Sequence, residues 1–130
     1  LITRVQYVKD QGGAKFAIVD AGMTELIRPA LYEAHHEIVP LVLKETLTES
    51  VQVVGPVCET ADVLGRDVSL PPLEAGDSLA ILTAGAYGMV MASNYNARPR
   101  PPEVIVGEDG QMWYIARRRE TWDDLVAAER

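Results

Sequence analysis

The chain has 130 residues, 48% of them hydrophobic and 24% charged, with a formal net charge of −7. That length fits a single domain with its own core, and the acidic balance argues against a nucleic-acid backbone as a partner. One cysteine excludes an internal disulfide framework, and no apolar run approaches the roughly 18 residues of a membrane span.

No signal peptide is read at the N-terminus. The first residue is Leu1, inside a strand-like pattern, so a piece of a longer chain is expected. Residues 1–9, LITRVQYVK, are β-rich with partial alternation. Gln11-Gly12-Gly13 supplies a turn and residues 15–19 read as the return strand, which predicts a hairpin. Residues 24–34 carry helix formers, with Thr24 as the expected N-cap. Pro29 pushes Arg28 away from helical angles, so two short turns are expected rather than one long helix. If the second turn runs on from Arg28, Arg28 and Tyr32 share a face. A planar basic donor beside a phenol suits an anion. A surface salt bridge with a half-buried tyrosine is the alternative. Residues 37–43 read as a strand whose Pro40 requires an edge or a bulge.

Residues 50–55 form the strand that feeds VGPVCETADVLG, which holds the only cysteine, Cys58. Glu59 follows directly and Asp62 comes three residues later. Gly55-Pro56 turns the chain just before the thiol and places Cys58 at a strand end, where loops carry function. The alternative is a buried core cysteine. Glu59 beside the thiol disfavours thiolate, which suits a proton donor better than a nucleophile. Nothing fixes a base beside Cys58 for nucleophilic catalysis. His35 and His36 are adjacent, point in different directions and do not make a zinc spacing with one cysteine.

Residues 61–67 are expected as a turn containing Gly65, residues 71–77 as a loop and residues 78–82 as a strand. In residues 83–96, TAGAYGMVMASNYN, Gly85 and Gly88 flank Tyr87 and let backbone or ligand come close. Residues 86–93 are expected as a short helix, either offering its N-terminal amides to an anion or packed in the core. Residues 98–102 form an extended linker. Residues 103–106 and 111–115 flank Gly107 to Gly110 as a hairpin. Residues 121–128 are a helix with Thr121 as N-cap and Asp124 at the capping-box position. Many strands, few short helices and frequent Gly/Pro turns predict a mainly β fold, an antiparallel β-sandwich or barrel with short helices.

Three stretches, IVDAGMTELIRPALYEAHHEI, VGPVCETADVLG and GAYGMVMASNYNARPRPPEV, resemble in order the C-terminal domain of the meso-diaminopimelate decarboxylases. These belong to the pyridoxal 5'-phosphate-dependent ornithine/diaminopimelate/arginine decarboxylase family. That family shares the cysteine stretch and GAY, whereas RPALY is more like the diaminopimelate branch. The resemblance implies that residues 1–130 are the single C-terminal β-domain of a two-domain, alanine racemase-like decarboxylase. The family's N-terminal (β/α)8 barrel carries the Schiff-base lysine, the phosphate loop and the ring-nitrogen carboxylate, and it is absent from this chain. Only Lys9, Lys15 and Lys44 are present, none in the family's lysine motif.

The implied reaction converts meso-2,6-diaminopimelate to L-lysine and carbon dioxide in lysine biosynthesis, with this fragment inactive alone. By the same resemblance, Cys58 is the proton donor to the α-carbon, and Glu59 is the ligand of the distal ammonium group. Arg28 and Tyr32 contact the distal carboxylate, and Tyr87 touches both cofactor and substrate. A cytoplasmic homodimer is implied, with Cys58 and Glu59 reaching into the partner's active site. An ornithine- or arginine-type decarboxylase of the same fold is the other enzyme reading. A stand-alone binding or interaction domain is the reading from a different class. No metal, nucleic acid or membrane is expected as a partner.

Overall fold

The computed structural model describes residues 1–129. The opening hairpin forms as expected: β1 (Ile2–Gln11) pairs antiparallel with β2 (Ala14–Val19). Gly12 and Gly13 connect them at φ of 60° and 80°, the left-handed pair that a tight two-residue hairpin turn requires. Val5, Ala17 and Val19 point inward and are buried.

Helix α1 (Arg28–Tyr32) takes Pro29 in its first turn, where the missing N–H has no helical partner to lose. The expected N-cap at Thr24 is not the one used. The chain turns earlier, with the amides of Glu25 and Leu26 donating to the Gly22 carbonyl, and the Thr24 hydroxyl donates instead to Glu25 Oε2 at 2.8 Å. Two short turns form as expected, but the break lies at residues 26–27, ahead of its expected place at Arg28, which is already helical.

Strands β3 (Ile38–Pro40), β4 (Glu49–Val54), β5 (Val63–Leu70) and β6 (Ser78–Ile81) complete a six-stranded sheet in the order β3-β6-β1-β2-β4-β5. Pro40 ends the edge strand β3, the position a strand proline tolerates. The two edges curl towards each other. Ile38 on β3 lies so close to Gly65 on β5 that a Cβ there would sit 2.8 Å from Ile38 Cδ1. The result is a nearly closed barrel, filled by Val5, Val19, Val51, Val53, Leu70, Leu79 and Ile81. One pairing departs from the antiparallel expectation: β2 and β4 run parallel, from Lys15↔Val51 to Ile18↔Val54. A parallel pair needs a crossover, and residues 20–48 supply it with α1 and β3.

Strand β5 corrects the expected turn over residues 61–67. Gly65 and Asp67 have turn composition, yet they sit in a strand interrupted by a bulge. The β4–β5 register slips between Val51 and Val54, and Asp67 takes φ 50°. The Asp67 carboxylate accepts from Gln52 Nε2 at 2.7 Å and Ser50 Oγ at 3.1 Å. Bulges absorb such residues without ending the strand. The expected helix over residues 86–93 is also shorter than predicted, a single 3-10 turn at Met89–Met91. With so little helix, the anion-binding alternative for its N-terminus has no basis.

The C-terminal third follows expectation more closely. Strands β7 (Glu103–Val106) and β8 (Trp113–Arg117) form a separate antiparallel pair. Helix α2 (Trp122–Leu125) is capped by the reciprocal Thr121–Asp124 box. The hairpin leaves Val104, Ile105, Val106, Trp113, Tyr114 and Ile115 exposed. Apolar display on both faces of one hairpin marks an interaction surface. Among the described residues no helix is long and apolar enough to cross a membrane.

The linker is pinned to this region through Glu120, which accepts from Arg100 Nε and from the Arg100 amide, each at 2.8 Å, and from Asn94 Nδ2 at 2.7 Å. These bonds, the Arg100 side chain first, lower the Glu120 carboxyl from 4.5 to about 2. A depressed carboxyl contributes stability above its unfolded value and loses it as pH falls through its folded value. Loosening of the C-terminal segment is therefore expected as pH drops from 4.5 towards 2. Fluorescence of Trp122, made the sole tryptophan by Trp113→Phe, should report it. Glu120→Gln should show the loosened signal already at pH 7.

Candidate functional site

Strand β4 delivers a tight loop at residues 55–62. The Gly55 amide donates to the Asp62 carbonyl at 2.9 Å, and the Asp62 amide donates to the Glu59 carbonyl at 3.0 Å. Val57 turns inward and is buried, and Cys58, next in the chain, turns out and is exposed. The buried-core alternative for the cysteine is thereby excluded. Glu59 is exposed as well, and the Tyr95 hydroxyl approaches its Oε2 at 3.4 Å.

Asp62 is buried beneath this loop. Its Oδ1 accepts from the Met23 amide at 2.6 Å and its Oδ2 from the Val57 amide at 2.8 Å. Residues 22–25 are fixed in turn by Glu25, whose Oε2 accepts from the Gly22 amide at 2.7 Å. The Ser93 amide donates to the Thr24 carbonyl at 3.0 Å. Arg98 donates through Nε to Thr24 Oγ1 at 3.1 Å and through Nη2 to the Asp20 carbonyl at 2.6 Å. The three motif-bearing stretches therefore meet at residues 22–25, which neither Cys58 nor Tyr87 adjoins in sequence.

Arg28 and Tyr32 are the first and last residues of α1, one helical turn apart. Tyr32 is 61% exposed, not half-buried, and among the described residues the surface ion pair that was the alternative for Arg28 is not made. Tyr87 is 62% exposed and sits at φ 60°. Thr83, Asn96 and Ala97 share that left-handed region. Such conformations cost side-chain-bearing residues free energy and gather where a segment has a task other than packing. The chain turns tightly there: the Ala84 carbonyl oxygen occupies the space that a Cβ on Gly88 would need, the close backbone approach that the flanking glycines predict.

Among the described residues, the side chains of Arg28, Tyr32, Cys58 and Tyr87 make no hydrogen bond or ion pair. A cleft of about 450 Å³ runs between α1 and β5, lined by Pro29, Ala34, His36 and Arg66 among others. A second, of about 680 Å³, is lined by residues that include Leu1, Arg98 and Trp122. None of the five candidate side chains lines either cleft. Tyr32, Cys58, Glu59 and Tyr87 are exposed on the surface, and Arg28 is half-buried. Asp62, Tyr95 and Arg98 complete the arrangement and were not assigned roles from sequence. The sequence marks Asp62 only as a second acid near the thiol, without its role. Nothing local distinguishes Tyr95 or Arg98.

Each of the three lysines has a polar partner. The Lys15 pKa is raised, by its hydrogen bond to Glu49 at 2.7 Å. Lys44 is paired with Asp77 at 2.8 Å, and Lys9 donates to Gln11 Oε1 at 2.8 Å. His36 is buried, with Nδ1 3.0 Å from the Leu82 carbonyl. Among the described residues no three of His, Cys, Asp and Glu gather as a metal site.

Residues 1–85 match the family model described as the pyridoxal-dependent decarboxylase, C-terminal sheet domain. A diaminopimelate decarboxylase from Aquifex aeolicus is 49% identical over 97% of this chain and 30% of its own length. The crystal structure of diaminopimelate decarboxylase from M. jannaschii superposes with a TM-score of 0.93 at 43% identity, covering all of this chain and 29% of that one. The Helicobacter pylori enzyme, crystallised with L-lysine, superposes at 0.90 with 43% identity over 99% of this chain and 31% of that one. The chain thus spans about 30% of the length of the relatives it matches. By fold, by sequence and by the residues matched, the chain belongs to the family of pyridoxal-dependent decarboxylase C-terminal sheet domains.

Proposed function

We propose that this chain is the sheet domain of a diaminopimelate decarboxylase, acting with a barrel portion that holds pyridoxal 5'-phosphate through its own lysine. The reaction is the conversion of meso-2,6-diaminopimelate to L-lysine and carbon dioxide. The observation that carries the reading is a set of side chains without a partner among the described residues, half-buried Arg28 and exposed Tyr32, Cys58 and Tyr87, on segments that meet at residues 22–25. A domain that spends these groups on neither packing nor internal pairing leaves them for a ligand outside itself. The L-lysine in the Helicobacter pylori relative supports a basic amino acid as product.

The cofactor, when bound, supplies the electron sink for loss of carbon dioxide. This chain's residues then bind, orient and deliver a proton. The Cys58 thiol gives its proton to the substrate α-carbon. Glu59 accepts from the distal ammonium group, with the Tyr95 hydroxyl beside it. Arg28 grips the distal carboxylate as a charge-assisted pair, and Tyr32 adds a hydroxyl. Tyr87 lies against cofactor and substrate. Lysine has no distal carboxylate for Arg28 to hold, which favours its release. The apolar β7–β8 hairpin offers a surface for the remainder of the enzyme, and a homodimer would let Cys58 and Glu59 serve the partner's site.

The test is carbon dioxide release from meso-diaminopimelate, ornithine and arginine by the full-length protein with added cofactor, alongside this chain alone. Turnover of diaminopimelate by the former and none by the latter is expected. Preference for ornithine or arginine would replace the substrate assignment, and turnover by the chain alone would remove the need for a barrel. Arg28→Ala should cost roughly 1.5–3 kcal/mol of substrate binding, which is about a 10- to 150-fold rise in KM. The dissociation constant of the cofactor should hold. If only the cofactor constant moves, Arg28 has another task.

A further inference from the structure

The geometry points to Asp62 as the positioning residue for Cys58, a role that rests on the reading of Cys58 as proton donor. Asp62 is 3% exposed, and a buried carboxylate needs strong partners. Among the described residues it has no cation partner. It is held by two backbone amides from segments far apart in sequence, Met23 N–H at Oδ1 and Val57 N–H at Oδ2. Val57 directly precedes Cys58. One carboxylate therefore ties the cysteine loop to residues 22–25, where the stretches bearing Arg28 and Tyr87 also meet.

The surroundings are cut to fit this carboxylate. A Cβ on Gly22 would lie 2.6 Å from Asp62 Oδ1, and one on Gly55 would lie closer still. Neither glycine has a left-handed backbone, so their lack of a side chain serves space and not conformation. Any side chain at either position would push the carboxylate off its amides. The amide isostere cannot replace it, because Asn presents one acceptor and one donor to two N–H donors. Cys58 itself is exposed and its side chain makes no hydrogen bond, so its placement comes from its backbone. Misplacing a reacting group by about 1 Å can cost roughly 100-fold in rate.

The test uses the fact that Cys58 is the sole cysteine. A nitroxide attached to it in this chain reports loop mobility by electron paramagnetic resonance, and amide exchange reports the two tethers. Asp62→Asn is expected to speed exchange at Met23 or Val57 at least tenfold and to mobilise the label, while protection at Val5 and Ile81 holds. Gly55→Ala, which leaves the residue at position 62 an aspartate but displaces its carboxylate, should mobilise the label in the same way. Unchanged exchange and an unchanged label in both variants would overturn the clamp. In the full-length enzyme, Asp62→Asn should lower kcat roughly ten- to a hundredfold, with KM for diaminopimelate rising by a smaller factor, because Glu59 shares the loosened loop while Arg28 and Tyr32 stay on α1. A loosened loop with normal kcat would overturn the positioning role. A full-length wild type that does not decarboxylate diaminopimelate would end the proposed function, and exchange and label would then decide the clamp by themselves.

Discussion

Coexpressed with a full-length chain lacking the cofactor lysine, a full-length Cys58→Ala chain is expected to recover about a quarter of wild-type turnover. Each variant alone should be nearly inactive, one for want of the proton donor and the other for want of the covalent anchor. The recovery follows from the proposed arrangement in which the thiol of one subunit serves the site of the other. In a two-fold dimer every contact is made twice, so a mixed dimer sorts its lesions. One site collects both defects and the other collects neither. Random mixing makes about half of the dimers mixed, and each of these has one intact site of two. The exposure of Cys58 at a loop tip, free of internal bonds, is what this arrangement needs. The measurement is turnover of the whole coexpressed population, with tagged pull-down showing that mixed dimers form; purified mixed dimers alone should reach about half of wild type. Activity no higher than that of the single variants would place Cys58 in its own subunit's site or outside the chemistry.

Leu79→Ala is expected to destabilise the domain by about 2–5 kcal/mol. Leu79 lies on β6 between β3 and β1 and is fully buried, so truncation removes its packing and leaves a cavity in the barrel. Against a total of roughly 5–15 kcal/mol for a typical domain, that loss brings unfolding near to ambient conditions. Urea denaturation should show a lower midpoint with an unchanged slope. Leu47→Ala is the control: Leu47 is 91% exposed, and its loss should stay within about 0.5 kcal/mol. Equal effects at the two positions would contradict the barrel core.

The parts of the fold that were legible beforehand are those whose signal is local. Gly12-Gly13 specifies its own turn conformation, and Thr121 with Asp124 specifies its own cap, so both elements stand where the residues put them. Strand β5 was not legible. Gly65, Arg66 and Asp67 have the composition of a turn, and only pairing with β4 draws them into a strand, with a bulge to absorb the mismatch. The parallel alignment of β2 and β4 was likewise beyond local pattern, since alternation does not say which neighbour a strand chooses. The site divides in the same way. Residue types marked Cys58, Glu59, Arg28, Tyr32 and Tyr87, while the meeting of their stretches at residues 22–25 depends on contacts such as Met23 to Asp62, 39 residues apart. Exposure settled the open question at Cys58, which no sequence window decides.

The pairing of β1 has a consequence for how the chain assembles. One edge of β1 finds β2 across a two-residue turn, an event on the order of 1–10 μs. The other edge must wait for β6, with Ile2 opposite Ala80. At about 5–20 residues per second of synthesis, that partner emerges seconds later. In the interval the finished hairpin carries an open row of amides and carbonyls, a template for mispairing. Barrel closure is then governed by non-local encounters, which place folding on the scale of milliseconds to seconds. The hairpin that is quickest to form thus belongs to a barrel whose seam is slow to close, and a chain released before residue 80 has no means of closing it.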